Sequence, residues 1–134
     1  MNQDSKDAIT PTWIVVDMSA TIIHHGHIRI LKIASELGPV RVALTTDDEI
    51  LSKKGYLPEL NFEQRKEVLE AIKYVQDVVP CKWLITDEFL DEIGCHTLVH
   101  GDDNQNPITR HKILVVPRTS GISSSQIRTS FGAK

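Results

Sequence analysis

The segment His24-His25-Gly26-His27 carries the residues best suited to chemistry in this chain. It follows the apolar run Trp13-Ile14-Val15-Val16 and is therefore placed at a strand-to-helix turn. The first turn of a helix attracts anions, because its N–H groups lack helical partners and the helix dipole adds positive charge. The imidazoles of His24 and His27 can donate to phosphoryl oxygens, and Gly26 lets the backbone come close to them. This pattern favours a phosphate-binding site.

Two other interpretations fit the same histidines. They could cap the helix or lie on the surface without a ligand. Three imidazoles in four residues could also bind a metal. No carboxylate or thiolate stands nearby at helical ligand spacing, so we predict no metal held by protein side chains.

A second anion site is indicated near the end of the chain, in the run Arg118-Thr119-Ser120-Gly121-Ile122-Ser123-Ser124-Ser125. Arg118 leaves a predicted strand and can grip phosphate with its planar guanidinium. The hydroxyls of Ser123 and Ser124, at the start of a predicted helix, can take further oxygens. The alternative is a solvated Ser/Gly turn with an ordinary helix cap.

Three further groups are candidates. Lys53 and Lys54, in a predicted loop, could close over a triphosphate or be solvated charges. Arg65 lies in the first turn of a predicted helix, where the dipole disfavours a cation, which suggests a ligand role. The segment Gly101-Asp102-Asp103 follows a strand and could accept from the amino group of a base, lie near a metal or form an Asp-rich turn.

The composition is that of a single globular domain. The chain has 134 residues, of which 40% are hydrophobic, and a formal net charge of −3. This mild acidity argues against nucleic-acid binding. We expect a flexible polar tail over residues 1–11, one domain over 12–134, no membrane span, and a cytoplasmic location with Cys81 and Cys95 as half-buried free thiols.

Apolar and amphipathic stretches alternate along the chain. The predicted strands are 13–16, 40–44, 77–80, 97–100 and 113–116. The predicted helices are 28–37 (closed by Gly38), 62–75 (capped by Asn61 and Gln64), 87–93 (ended by Gly94) and 121–130. Residues 45–48 and 52–60 are predicted as loops. This order predicts an α/β fold, with a five-stranded parallel sheet covered on both faces and the polar clusters converging beyond its carboxyl edge.

Taken together, these residues resemble the cytidylyltransferase family, above all the small bacterial glycerol-3-phosphate cytidylyltransferases. The matching motifs run in the family's order from residue 13 nearly to the C-terminus: His24-x-Gly26-His27, Lys53-Lys54, Glu63-Gln64-Arg65, Gly101-Asp102-Asp103 and Arg118-Thr119-x-Gly121-Ile122-Ser123. The resemblance implies a Rossmann-like three-layer domain that joins CTP to a phosphorylated alcohol and releases pyrophosphate. It also implies Mg²⁺ as cofactor and a homodimer.

The resemblance assigns roles to individual residues. The catalytic residues it implies are His24, His27, Lys53, Lys54 and Arg118. The nucleotide-binding residues it implies are Met18, Ser19, Ala20, His24, Gly26, His27, Arg65, Gly101, Asp102, Arg118, Gly121, Ile122, Ser123 and Ser124.

One departure from the family bears on the acceptor. Family members usually read Gly-Thr-Phe-Asp where this chain reads Met18-Ser19-Ala20-Thr21. This sequence is similar to that of nucleotidyltransferase domains found beside phosphonate-making enzymes. Those domains activate compounds such as 2-hydroxyethylphosphonate. The acceptor is therefore expected to be glycerol-3-phosphate or such a phosphonate alcohol. The alternatives are an adenylyltransferase of the same superfamily that uses ATP, a non-catalytic nucleotide-binding protein and a histidine-based metal-binding module.

Overall fold

Five parallel strands form one sheet in the computed structural model, which describes residues 12–101 and 106–117. The strands span Trp13–Met18 (β1), Val40–Thr45 (β2), Asp77–Cys81 (β3), Cys95–Gly101 (β4) and Lys112–Val116 (β5), in the order β3-β2-β1-β4-β5. The helices span His25–Ser35 (α1), Asp47–Lys54 (α2), Phe62–Glu70 (α3) and Asp87–Glu92 (α4). All five predicted strands are present with ends shifted by at most two residues, so the predicted α/β fold is confirmed.

Side chains of the central strand alternate between two apolar cores. Ile14 and Val16 belong to the core that contains Leu31 of α1 and Leu69 of α3. Val15 lies in a second core with Leu90 of α4. Helices therefore cover both faces of the sheet, which gives the three layers that near-continuous apolar strands predict.

The strand order reverses beside β1. The chain passes from β1 through β2 to β3 on one side and then places β4 and β5 on the other. At such a reversal the connections leave the carboxyl ends of the two neighbouring strands in opposite directions, and ligands bind in the crevice between them. The carboxyl ends of β1 and β4 are Met18 and Gly101.

Pro80 does not stop β3 as predicted, because the strand continues to Cys81. Among the strands that the structure describes, β3 lies at the edge of the sheet and pairs only with β2, where Pro80 is opposite Leu44. An edge strand can include a residue without an N–H, since one side of it has no partner strand.

The first helix begins earlier than predicted, at His25 instead of residue 28, and ends at Ser35. The side chains of His24 and His27 supply the hydrogen bonds that start it. A prediction from apolar spacing does not include these bonds, which explains the difference.

The loops predicted around residues 45–48 and 52–60 are partly wrong, because α2 occupies Asp47–Lys54. Only Ile50 of this helix is buried, so it has no apolar periodicity to reveal it. Its acidic first turn and its lysines in the last turn match the helix dipole. Gly55 ends it in the left-handed conformation, with φ of 81°, which glycine adopts without a steric penalty.

The helix that starts after Asn61 is shorter than predicted and ends at Glu70 instead of residue 75. Its start is confirmed, because Asn61 and Gln64 form the predicted reciprocal cap. Ile72 and Val75 still pack against the core from the following turn, which is why their spacing imitated a longer helix. The predicted helix over 121–130 lies outside the described residues.

Candidate functional site

The side chains of His24 and His27 cap backbone N–H groups at the start of α1. His24 is the N-cap residue, and its Nδ1 accepts from the backbone N–H of Gly26 at 3.1 Å. His27 Nδ1 accepts from the backbone N–H of His24 at 3.0 Å. The two rings lie together, with centroids 4.1 Å apart. The capping role considered for these histidines is therefore real, and it does not compete with a binding role.

These bonds fix where the rings carry their protons. A ring nitrogen that accepts a hydrogen bond is unprotonated, so each neutral imidazole carries its proton on Nε2. Burial, with a smaller contribution from His24, lowers the pKa of His27 to about 4. Burial and the neighbouring His25 also lower the pKa of His24. Near neutral pH the structure thus offers two Nε2–H donors on the ring edges that face away from the capped backbone.

The segment between β1 and α1 makes a sharp turn at Ala20. Ala20 is buried and has a φ of 48°, which is unusual for a residue with a Cβ atom. The Met18 carbonyl accepts from Thr45 Oγ1 at 3.3 Å, and the Ser19 carbonyl accepts from Arg65 Nη1 at 2.6 Å. The turn that was predicted to contact the nucleotide is therefore held by hydrogen bonds from β2 and α3.

Arg65 is fully buried, and its partners are protein atoms. Besides the Ser19 carbonyl, its guanidinium donates to the carbonyl of Leu60 at 3.1 Å and to Asp47 Oδ1 at 2.7 Å. The position of Arg65 at a helix start predicts a ligand for this cation. The structure instead gives Asp47 of α2 as its partner, and Asp47 was not among the predicted residues.

The two lysines lie in the last turn of α2 and are exposed, which corrects their predicted loop position. Lys54 Nζ lies 5.6 Å from the centroid of the Trp83 ring. None of the contacts described for Lys53 or Lys54 joins them to the two capping histidines.

An Asp–His pair that the sequence analysis missed lies where the strand order reverses. Asp17 of β1 and His100 of β4 are hydrogen-bonded through Oδ1 and Nδ1. The register that sets Val16 beside Val99 places them side by side. Their side chains are 9% and 16% exposed, respectively. The sequence feature that could have indicated this pair is a carboxylate inside an otherwise apolar strand.

Several predicted site residues lie outside the described residues: Asp102, Arg118, Gly121, Ile122, Ser123 and Ser124. Asp103 of the Gly-Asp-Asp motif lies there too, whereas Gly101 is the last residue of β4. The structure thus brings Met18, Ser19 and Ala20 to the same strand-to-helix connection as the capping histidines, and it leaves the second predicted anion cradle untested.

Within residues 12–101 and 106–117, no three His, Cys, Asp or Glu side chains are grouped to hold a metal ion. Mg²⁺ usually takes nucleotide phosphates and waters as ligands and does not need an all-protein cage. No helix in the same residues is long and apolar enough to cross a membrane.

Cys81 and Cys95 are free thiols and more deeply buried than predicted. Burial raises the pKa of each to about 12, so they are unreactive near neutral pH.

Comparison with known proteins identifies relatives along most of the chain. The family model described as cytidylyltransferase-like matches residues 19–130. Glycerol-3-phosphate cytidylyltransferase of Staphylococcus aureus is 33% identical over 121 residues, which cover 84% of this chain and 89% of that protein. Ethanolamine-phosphate cytidylyltransferase of Dictyostelium discoideum is 30% identical over 129 residues, and this chain spans only 36% of its length. A lipopolysaccharide core biosynthesis protein from Thermoplasma volcanium has a similar fold, with a TM-score of 0.69, 19% identity and coverage of 81% of this chain and 98% of that one.

Proposed function

The chain belongs to the cytidylyltransferase-like family and is a CTP-dependent cytidylyltransferase, and we propose that it transfers CMP to a small phospho-alcohol such as glycerol-3-phosphate. An oxygen of the acceptor phosphate attacks the α-phosphorus of CTP. The bond from that phosphorus to the bridging oxygen breaks, and pyrophosphate leaves with the electron pair. The nucleophile is already an anion, so positioning and charge stabilisation supply the catalysis and no general base is needed.

The observation that carries this proposal is the pair of backbone hydrogen bonds accepted by the Nδ1 atoms of His24 and His27. Their Nδ1 atoms cap α1, so each Nε2–H is oriented before a ligand arrives. Pre-oriented donors stabilise charge that builds on the α-phosphoryl oxygens without reorganisation during the reaction. The N-terminus of α1 adds its dipole to the same place.

When bound together with CTP, Mg²⁺ would supply positive charge that stabilises the leaving pyrophosphate. We propose that Arg118, Ser123 and Ser124 hold the β- and γ-phosphates, because the resemblance to the cytidylyltransferase family implies this role. Lys53 or Lys54 is proposed to close over the reacting groups. Both lysines are exposed in the last turn of α2, so their long side chains can change conformation without movement of the helix.

The acceptor is proposed to be glycerol-3-phosphate, because the Staphylococcus aureus relative named for it is matched over 89% of its length. A phosphonate alcohol such as 2-hydroxyethylphosphonate is the alternative suggested by Met18-Ser19-Ala20. Ethanolamine phosphate is a second candidate, because Asp17 sets a carboxylate beside His100 at the strand reversal. The charge of the Asp17 carboxylate is complementary to the ammonium group of this acceptor.

Pyrophosphate release tests the reaction and the acceptor together. The purified protein is given Mg²⁺, each nucleoside triphosphate in turn and one acceptor from a panel of glycerol-3-phosphate, phosphoethanolamine, phosphocholine and 2-hydroxyethylphosphonate. We expect release with CTP and glycerol-3-phosphate. Release with ATP alone would make the protein an adenylyltransferase, and CTP binding with no release from any acceptor would favour a non-catalytic nucleotide-binding protein.

Replacing Asp17 by Asn separates the acceptor candidates in the same assay. If ethanolamine phosphate is the acceptor, the loss of the carboxylate raises its KM, while the KM for CTP changes little. If glycerol-3-phosphate is the acceptor, no such selective rise is expected. A homodimer, which the resemblance implies, and a cytoplasmic location, which the sequence composition predicts, are part of the proposal, and sedimentation tests the first.

A further inference from the structure

We propose that Asp47 and Arg65 form a positioning pair that holds the Ser19–Ala20 peptide so that the N–H of Ala20 faces bound CTP. The proposal rests on the proposed use of CTP and names residues that act on the site without touching the reacting atoms. It replaces the predicted nucleotide contact of Arg65 by an indirect role.

The first link is the contact between the two helices. Asp47 is the first residue of α2, and its Oδ1 accepts from Arg65 Nη2 at 2.7 Å. Its other oxygen accepts from the backbone N–H of Phe62, the first residue of α3, at 3.1 Å. One carboxylate therefore fixes the start of α3 and neutralises the guanidinium that α3 carries.

The second link is the burial of Arg65. Its side chain is 0% exposed, whereas that of Asp47 is 31% exposed. A buried guanidinium needs both a counter-charge and acceptors for its N–H groups. Asp47 supplies the charge, and the carbonyls of Leu60 and Ser19 supply the remaining acceptors. This arrangement leaves the side chain little freedom to turn toward a ligand.

The third link is the orientation of a peptide group. In a trans peptide the N–H points opposite to the carbonyl of the preceding residue. Because the Ser19 carbonyl is directed at Arg65 Nη1 at 2.6 Å, the Ala20 N–H is directed away from Arg65. Ala20 has a positive φ, and backbone N–H groups in such turns form concave sites for anions. The turn lies in the connection that leads to His24, so a phosphate bound there is close in sequence to the capping histidines.

The experiment compares Asp47→Asn with Asp48→Asn. Asparagine keeps the size of the side chain and removes one charge, and Asp48 lies in the same acidic first turn but is exposed. Both variants therefore change the net charge and the helix dipole equally. For each we would measure the dissociation constant for CTP, kcat, the KM of the acceptor and the thermal midpoint.

We expect Asp47→Asn to weaken CTP binding about tenfold, as for one lost or misdirected hydrogen bond, and to lower kcat by about 10- to 100-fold. The KM of the acceptor changes little, and Asp48→Asn behaves as the unmodified protein. If Asp47→Asn lowers only the thermal midpoint and keeps CTP affinity and kcat, the pair is merely structural and the proposal fails. Tighter CTP binding in Asp47→Asn would also overturn it, since that result means a released Arg65 contacts the nucleotide directly.

Arg65→Lys provides the test if Asp47→Asn does not fold. Lysine keeps the charge next to Asp47, but a single ammonium cannot reproduce the planar fork that reaches three acceptors. Unchanged CTP affinity in this variant would refute the positioning role. CTP binding is measured without an acceptor, so the variants can be compared even if the unmodified protein releases no pyrophosphate. A lack of pyrophosphate release would contradict the proposed function and not the positioning role.

Discussion

Asp47 and Asp87 both gather several N–H donors, but they connect different parts of the molecule. Asp47 joins α2 to α3 and, through Arg65, reaches the turn after β1. Asp87, at the start of α4, accepts from the backbone N–H of Thr109 at 2.9 Å and from His111 Nδ1 at 2.6 Å. The second carboxylate thus fastens the residues that lead into β5.

The difference shows that a buried carboxylate is not by itself a sign of an active site. The Asp87 contacts are local to a helix start and a strand start, and they include two N–H groups of Arg110 and His111 as well. They therefore stabilise the fold. The Asp47 contacts lead through Arg65 to the carbonyl of Ser19, in the turn that we propose contacts CTP, so we expect their loss to appear in CTP binding and turnover.

The largest effect is expected at His27, because the comparison depends on residues 18–27 being the reactive segment. Asparagine at this position places Oδ1 where Nδ1 lies and so keeps the bond from His24 N–H, but it removes the Nε2–H donor. We expect His27→Asn to lower kcat by about 100- to 1,000-fold, which is typical for the loss of one pre-oriented donor. Steady-state pyrophosphate release measures it.

His27→Ala is the matched control, because it removes the cap as well as the donor. It should lose as much activity as the asparagine variant. Its free energy of unfolding in urea should be about 1 kcal/mol lower than that of His27→Asn. A His27→Asn variant with kcat within about tenfold of the unmodified protein would show that His27 only caps the helix.

The second prediction concerns Asp87→Asn, which tests the other half of the comparison. Hydrogen bonds, first from His111 and then from the Thr109 backbone, hold the pKa of Asp87 well below its ordinary value. A lowered pKa means that the carboxylate stabilises the folded state above its ordinary pKa and that this contribution is lost as the pH falls below it. We expect the thermal midpoint to fall by several degrees near neutral pH.

In the same variant, CTP affinity and kcat at a temperature well below unfolding should be little changed. The difference in midpoint between Asp87→Asn and the unmodified protein should shrink as the pH is lowered through the acid range. If the variant instead loses CTP affinity as Asp47→Asn is expected to, the distinction between the two carboxylates is wrong.

The third prediction uses the pKa of His27, which is lowered from 6.5 to about 4. The unfolded chain binds this proton more readily than the folded one, so protonation favours unfolding. The stabilising contribution of the neutral ring is complete above pH 6.5 and is lost as the pH falls toward 4. We expect the unmodified protein to lose stability over this window relative to His27→Asn, which has no proton to bind. Urea unfolding of both proteins across the window measures this, and parallel curves would contradict the assignment.

The sequence alone predicts the sheet well, because the strands are apolar runs bounded by turn residues. The Asn61 cap was equally visible, since it depends on contacts within a few residues. In contrast, α2 has no apolar stripe, and only its charge order and Gly55 indicate it.

Contacts between distant parts of the chain could not be predicted in the same way. Arg65 and Ser19 are 46 residues apart, and Asp17 and His100 are 83 apart, so no local pattern connects them. The unfavourable position of Arg65 at a helix start was a valid signal that the cation has a partner. It did not reveal whether that partner is a nucleotide or Asp47.

The smallest effect is expected at Asp77, which pairs with an arginine as Asp47 does but under different conditions. Arg41 Nε donates to Asp77 Oδ2 at 2.8 Å, and the two side chains are 22% and 37% exposed. Arg41 also donates to the carbonyl of Ile93 at 2.8 Å and lies 4.3 Å from the centroid of the Trp13 ring, so it keeps partners when the carboxylate is removed. Asp77→Asn should therefore cost about 0.5 kcal/mol in urea unfolding, less at high salt, and leave CTP affinity unchanged. If Asp77→Asn weakened CTP binding as much as Asp47→Asn, the loss of any negative charge would be enough to explain both results. The contacts from Asp47 through Arg65 to Ser19 would then not be needed to explain the effect of Asp47→Asn.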